Sequence, residues 1–179
     1  NDKGKPMTKS FVEFNSMGYS TASTYIDFQN KLYTSKTRNI YKDDSVQTES
    51  LYYYADTTEV SQRTVYKYDN KLRNTETTNY DENDQISSVS LTKYDESGRV
   101  SEWSSEQKVQ GGCSNYTRYT QKYNSNGNIV EYTSFNMDGT VQENIIGKYD
   151  NKGLLTECNE YNSKNELKKV IKYLYEFFQ

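Results

Sequence analysis

Apolar positions along this chain are organised around an aromatic that recurs ahead of each turn: Phe14, Phe28, Tyr41, Tyr54, Tyr68, Tyr80, Tyr94, Tyr123, Phe135, Tyr149, Tyr161 and Tyr173 or Tyr175. Steps alternate between about 12 and about 14 residues, so two steps form a unit of about 26, the signature of an array of one supersecondary unit. Phe28, Tyr54 and Tyr80 are 26 apart, as are Tyr123 and Tyr149. The step from Tyr94 to Tyr123 spans 29 residues and lacks its middle aromatic. It carries Gln110-Gly111-Gly112, a turn signal of its own, and reads as one unit with a three-residue insertion.

Each step has room for a short turn and one strand. The turns are rich in Asp and Asn with Gly near their end, as in Asp95-Glu96-Ser97-Gly98 and Asp150-Asn151-Lys152-Gly153. Such residues satisfy their own turn backbone, and Gly supplies a positive φ. Turns this short join antiparallel neighbours, because a parallel pair needs a crossover of about a dozen residues or more. The only proline, Pro6, precedes the array. Period-two alternation from Tyr149 places Leu155, Glu157, Asn159 and Tyr161 on the face of that tyrosine. The sequence therefore predicts an all-β antiparallel meander of tandem hairpins, about 11 to 13 strands in a single twisted or rolled sheet. Residues 1–10 read as disordered or linker, 11–53 as degenerate units, 54–172 as regular units and 173–178 as a C-terminal cap strand.

Composition changes this picture in one respect. Hydrophobic residues make up 32% of the 179, and 19 residues are tyrosine. Leu, Ile, Val and Phe are too sparse for a thick dry core. Tyrosine forms strands well and keeps a hydroxyl that needs a partner or water, which suits a thin, half-wet sheet.

The chain bears 22 basic and 25 acidic residues, a net charge of −3, with no basic stripe of the kind that attracts nucleic acid. It has no histidine, which excludes His-based acid–base chemistry, Ser-His-Asp triads and His metal ligands. No GxSxG elbow and no phosphate loop occurs. Cys113 and Cys158 make no CxxC pair, leaving open one disulfide or two free thiols. The expectation is no enzyme, no metal and no cofactor. No segment is apolar enough to span a membrane. The polar start, beginning at Asn1, reads as the remainder after a signal peptide or lipid anchor.

Tyr94-Asp95-Glu96-Ser97-Gly98-Arg99-Val100 resembles the YD motif of bacterial RHS/YD-repeat proteins. Tyr149-Asp150-Asn151-Lys152-Gly153-Leu154-Leu155 and Tyr123-Asn124-Ser125-Asn126-Gly127-Asn128-Ile129 are variants of it. The hairpin logic is also similar, more loosely, to MORN-type repeats. The resemblance spans roughly Tyr54 to Phe178 and implies an exported, sheet-forming scaffold. This chain departs from the family pattern in its shorter steps and in having too few units to enclose anything. No active site carries over.

Three constellations stand out. Glu49, Glu76, Glu102, Glu131 and Glu157 each follow the leading aromatic by eight residues. They read as a structural carboxylate ladder, bonded to tyrosine hydroxyls or basic side chains, with a cation rail or glycosidase pair as the functional rival. Trp103 and Tyr132 occupy equivalent places nine residues after their aromatics, with Cys158 in the same position of a later unit. They read as an aromatic platform for a protein or glycan, or as a second small core if another segment covers them. Lys172-Tyr173-Leu174-Tyr175-Glu176-Phe177-Phe178 is apolar on both faces and reads as a cap or as an edge for a homodimer. The expectation is a non-catalytic exported module binding protein or glycan at a bacterial cell surface, with a structural spacer and, third, a carboxylate-based glycoside hydrolase as alternatives.

Overall fold

A computed structural model describes residues 8–27, 34–54, 57–108 and 114–176. Every regular element among them is a strand: β1 Thr8–Phe14, β2 Ser20–Asp27, β3 Thr34–Lys42, β4 Val46–Tyr53, β5 Val60–Tyr68, β6 Asn74–Tyr80, β7 Ile86–Tyr94, β8 Val100–Lys108, β9 Ser114–Tyr123, β10 Ile129–Phe135, β11 Val141–Tyr149, β12 Leu155–Asn162 and β13 Leu167–Lys172. The sheet is open and antiparallel, with strand order following chain order from β1 to β13. This is the expected meander. Inside β7 the chain divides into two units, Asn1–Val89 and Ser90–Gln179.

One hairpin design explains both units. An Asp or Asn just after the strand aromatic accepts two backbone N–H groups of its own turn on Oδ1. Asp69 takes those of Lys71 and Arg73, Asp81 those of Asn83 and Gln85, and Asp150 those of Lys152 and Leu154. The third residue after it turns left-handed: Gly98, Gly127, Gly139 and Gly153, but also Asp84, Asn165 and, against steric preference, Leu72 at φ 59°.

Beside these turns the register slips by one residue. Lys67 faces Glu76 while Tyr68 faces Asn74, and Lys148 faces Glu157 while Tyr149 faces Leu155. The slip is a β-bulge, and it reverses the simple alternation. Glu157 shares a face with Lys148, so it lies opposite Tyr149 rather than beside it. The expected placement of the glutamates on the face of their leading tyrosine is corrected accordingly. In unit 2, Trp103, Tyr119 and Tyr132 share the face of Tyr123, by the register of β8, β9 and β10.

Among the described residues no apolar side chain is buried. Those that are buried are polar: Ser50, Thr64, Thr78, Thr133 and Asn159. Long side chains covering their own sheet take the place of a second layer. Two boundaries also shift. β1 begins at Thr8, inside the segment expected to be linker. The ladder of β13 stops at Lys172, so 173–176 is not a cap strand, although Tyr173 still donates its N–H to Thr156 at 3.0 Å. Phe177 and Phe178 lie outside the described residues, as do Phe28, Gly111, Gly112 and Cys113. Cys158 is a half-buried free thiol.

Candidate functional site

The carboxylate ladder is closed by cations. Lys67 bonds Glu76 at 2.9 Å, Lys93 bonds Glu102 at 3.0 Å, Lys122 bonds Glu131 at 2.9 Å and Lys148 bonds Glu157 at 2.7 Å. Each lysine directly precedes a leading tyrosine and stands nine residues before its glutamate, a spacing readable in the sequence that the aromatic alignment alone passes over. Where that place holds Ile40, Glu49 turns instead to Arg63 at 3.4 Å. Glu102 takes a second cation, Arg118, at 3.0 Å.

These partners set the acidities. The Lys67 ammonium holds Glu76 below the usual carboxylate range, and Lys148 does the same for Glu157. At Glu102 burial pushes upward, but hydrogen bonds from Lys93 and Arg118 outweigh it and leave the group lowered. A glycosidase acid needs the opposite shift.

The arginines also cover rings. Arg63 lies 4.0 Å from the centroid of Tyr80, its cross-strand neighbour, and Arg118 lies 4.5 Å from that of Phe135. Each guanidinium thus combines an ion pair with a cation–π contact.

On the other face, Trp103 and Tyr132 are brought into one strip by a residue the sequence reading did not single out. Tyr119 of β9 stands between them, 5.5 Å from Trp103 and 5.3 Å from Tyr132 between ring centroids. Tyr119 falls in the step without a middle aromatic, so the repeat alignment gave it no position; strand pairing puts it directly opposite Trp103. All three rings are half-buried. Burial, together with the neighbouring Tyr119 and Glu143, raises the Tyr132 phenol above its ordinary value. Ile145, opposite Tyr132, extends the strip, whereas Cys158 lies on the same face beside Gly147, outside the stack.

Among the described residues no cluster of His, Cys, Asp and Glu could hold a metal ion, and no helix is long and apolar enough to cross a membrane.

No protein-family model and no curated protein matches the chain. Among solved structures it is similar to a chain of the Photorhabdus luminescens Tc holotoxin pore, with a TM-score of 0.53 and 13% sequence identity over 91% of this chain and 9% of that one. A TcdB2–TccC3 crystal structure aligns over 94% of this chain and 11% of that one, at 9% identity and a TM-score of 0.35. The likeness to the holotoxin chain is one of fold, and this chain spans 9% of that chain's length.

Proposed function

We propose that this chain is a non-catalytic β-repeat module of an RHS/YD-like exported protein, and that it contacts a protein or glycan at a bacterial cell surface. The observation that carries the reading is the Trp103–Tyr119–Tyr132 strip. Three large rings in contact form a contiguous apolar patch rather than scattered exposures, and such rings supply much of the energy at binding surfaces. The fold likeness to a Tc holotoxin chain supports a module that works inside a larger assembly. The ladder glutamates support a structural role for the opposite face, since each is bonded to a cation. That exhaustive internal pairing also favours a second reading, a spacer with no ligand.

The test is saturable binding of the fluorescently labelled chain to intact bacterial cells. Pretreating the cells with protease or with periodate separates a protein partner from a glycan. Trp103→Ala/Tyr132→Ala should lose binding while remaining folded by circular dichroism. Unchanged binding by the double variant removes the strip as the contact surface, and an absence of saturable binding by the unaltered chain leaves the spacer reading standing.

A further inference from the structure

The first repeat breaks the ladder rule, and it does so in a way that builds a site. Across adjacent strands the later repeats place a glutamate at the centre: Lys122, Glu131 and Ile146, or Lys148, Glu157 and Lys172. Ile40, Glu49 and Val65 follow the same register. In the first repeat the corresponding row is Glu13, Ala22 and Arg38. The central carboxylate is gone, an acid stands where lysine usually stands, and a guanidinium appears on the far side. Among the described residues neither Glu13 nor Arg38 has an oppositely charged group within 4.0 Å.

The small Ala22 leaves a groove of about 500 Å³ lined by Glu13, Ala22, Lys36, Arg38, Ile40 and Tyr53. That volume lies in the range of small-ligand sites, about 300–1,000 Å³. Lys36 lies two residues from Arg38, on the same face of β3, with its ammonium 5.2 Å from the centroid of Tyr53. The groove is therefore negative at the β1 side and doubly positive at the β3 side.

We propose that this groove binds a short zwitterionic peptide, its C-terminal carboxylate on Arg38 and Lys36 and its N-terminal ammonium on Glu13. Arginine's fork matches a carboxylate in two-point geometry, and Glu13 accepts from an ammonium. Glu13 and Arg38 stand two strand spacings apart, about 10 Å. An extended chain advances about 3.3–3.6 Å per residue, so the span selects two or three residues over a single amino acid. The site lies in unit 1 and is independent of the aromatic strip.

The probe is trialanine, titrated into the ¹⁵N-labelled chain and followed by amide chemical shifts. We expect saturable shifts centred on β1 to β3 with a midpoint in the millimolar range, as suits charges open to solvent. Acetylating the N-terminus or amidating the C-terminus should each weaken binding about tenfold or more. Ala22→Glu should abolish it by placing a carboxylate between Glu13 and Arg38, in a chain whose amide spectrum outside β1 to β3 shows it still folded. Trp103→Ala/Tyr132→Ala should bind trialanine normally, so this site and the cell-surface reading fail separately. The proposal is overturned by an absence of saturable shifts up to about 50 mM, by equal binding of the capped peptides, or by retained binding in Ala22→Glu.

Discussion

The hydroxyl of Tyr149 donates to the carbonyl of Ile129 at 2.8 Å, tying the end of β11 to the start of β10. Tyr41 does the same to Ser20, Tyr68 to Gln47, Tyr123 to Val100 and Tyr175 to Leu155. Each hydroxyl reaches a carbonyl near a strand start, and at Ser20, Gln47, Ile129 and Leu155 that is where a bulge interrupts the ladder. That is the physical reason for a tyrosine at these positions: phenylalanine would cover the sheet equally well but leave the carbonyl to water. Tyr149→Phe should cost about 1 kcal/mol, the usual worth of one such bond, read from the urea midpoint.

The same tyrosines fix the alkaline limit. Burial raises Tyr68, Tyr123 and Tyr149 above the usual tyrosine value near 10. The unfolded chain therefore releases these protons first. Their contribution is complete below pH about 10 and is lost as pH climbs through the folded-state values. Urea midpoints should hold steady up to about pH 9 and fall by about pH 11. A midpoint flat across that range contradicts the burial of these phenols.

At the acid end the signs reverse. Glu76, Glu102 and Glu157 are lowered by their cations, so their contribution is present above the ordinary carboxylate value near 4.5 and fades as pH falls through the lowered ones. Glu102→Gln, which weakens two ion pairs at once, should cost about 1 kcal/mol or less, because these pairs are partly solvent-screened. It should also make the acid transition shallower, measured by circular dichroism between about pH 5 and 2.

Leu72 sits at φ 59° and is 65% exposed. A left-handed conformation costs a residue with a Cβ roughly 1–2 kcal/mol, and so exposed a side chain returns little by burial. Leu72→Gly should therefore stabilise unit 1 by about 1 kcal/mol in urea unfolding, despite removing an entire side chain. Destabilisation would mean that Leu72 makes contacts worth more than its strain.

The meander, its period and its turns were legible because Tyr, Asp, Asn and Gly each meet a local requirement. Side-chain faces were less so. Simple alternation put Glu157 beside Tyr149, and the bulge at Lys148/Tyr149 reversed it. A bulge inserts one residue without a composition signal of its own, so counting from the aromatic cannot detect it. Pairing along the chain would have helped, because Lys67, Lys93, Lys122 and Lys148 keep a constant nine-residue distance from their glutamates. Trp103 and Tyr132 were visible as equivalent positions. Tyr119 was not, because its contact with Trp103 depends on strand pairing across the irregular step.

Gly147 marks a tight spot of the sheet. A Cβ there would meet the Ile129 carbonyl at 3.2 Å, Leu155 Cδ1 at 3.2 Å and the Tyr149 ring at 3.3 Å. The carbonyl belongs to backbone and already accepts the Tyr149 hydroxyl, so it yields poorly. Gly147→Ala should cost about 1–3 kcal/mol, the range of overpacking. In Tyr149→Phe the same change should cost less, because that hydroxyl no longer holds the ring against the Ile129 carbonyl.

The aromatic strip allows the sharpest test, because Trp103 is the only tryptophan and reports on it directly. Tyr119 touches both Trp103 and Tyr132, each contact worth about 0.5–1.5 kcal/mol beyond area burial. The outer two rings meet through Tyr119. A double-mutant cycle on Trp103→Ala and Tyr119→Ala should therefore show coupling in that range. The Trp103→Ala and Tyr132→Ala pair should couple more weakly than either pair that includes Tyr119, because it communicates only through that shared ring. Tyr119→Ala should also shift Trp103 emission to the red, since it opens one side of the indole to water. Strong coupling between the outer pair, or an emission maximum unmoved by Tyr119→Ala, would show that the rings are not stacked in this order in solution. The strip would then lose its claim to be a preformed surface, because its rings would have to rearrange before a partner could use them.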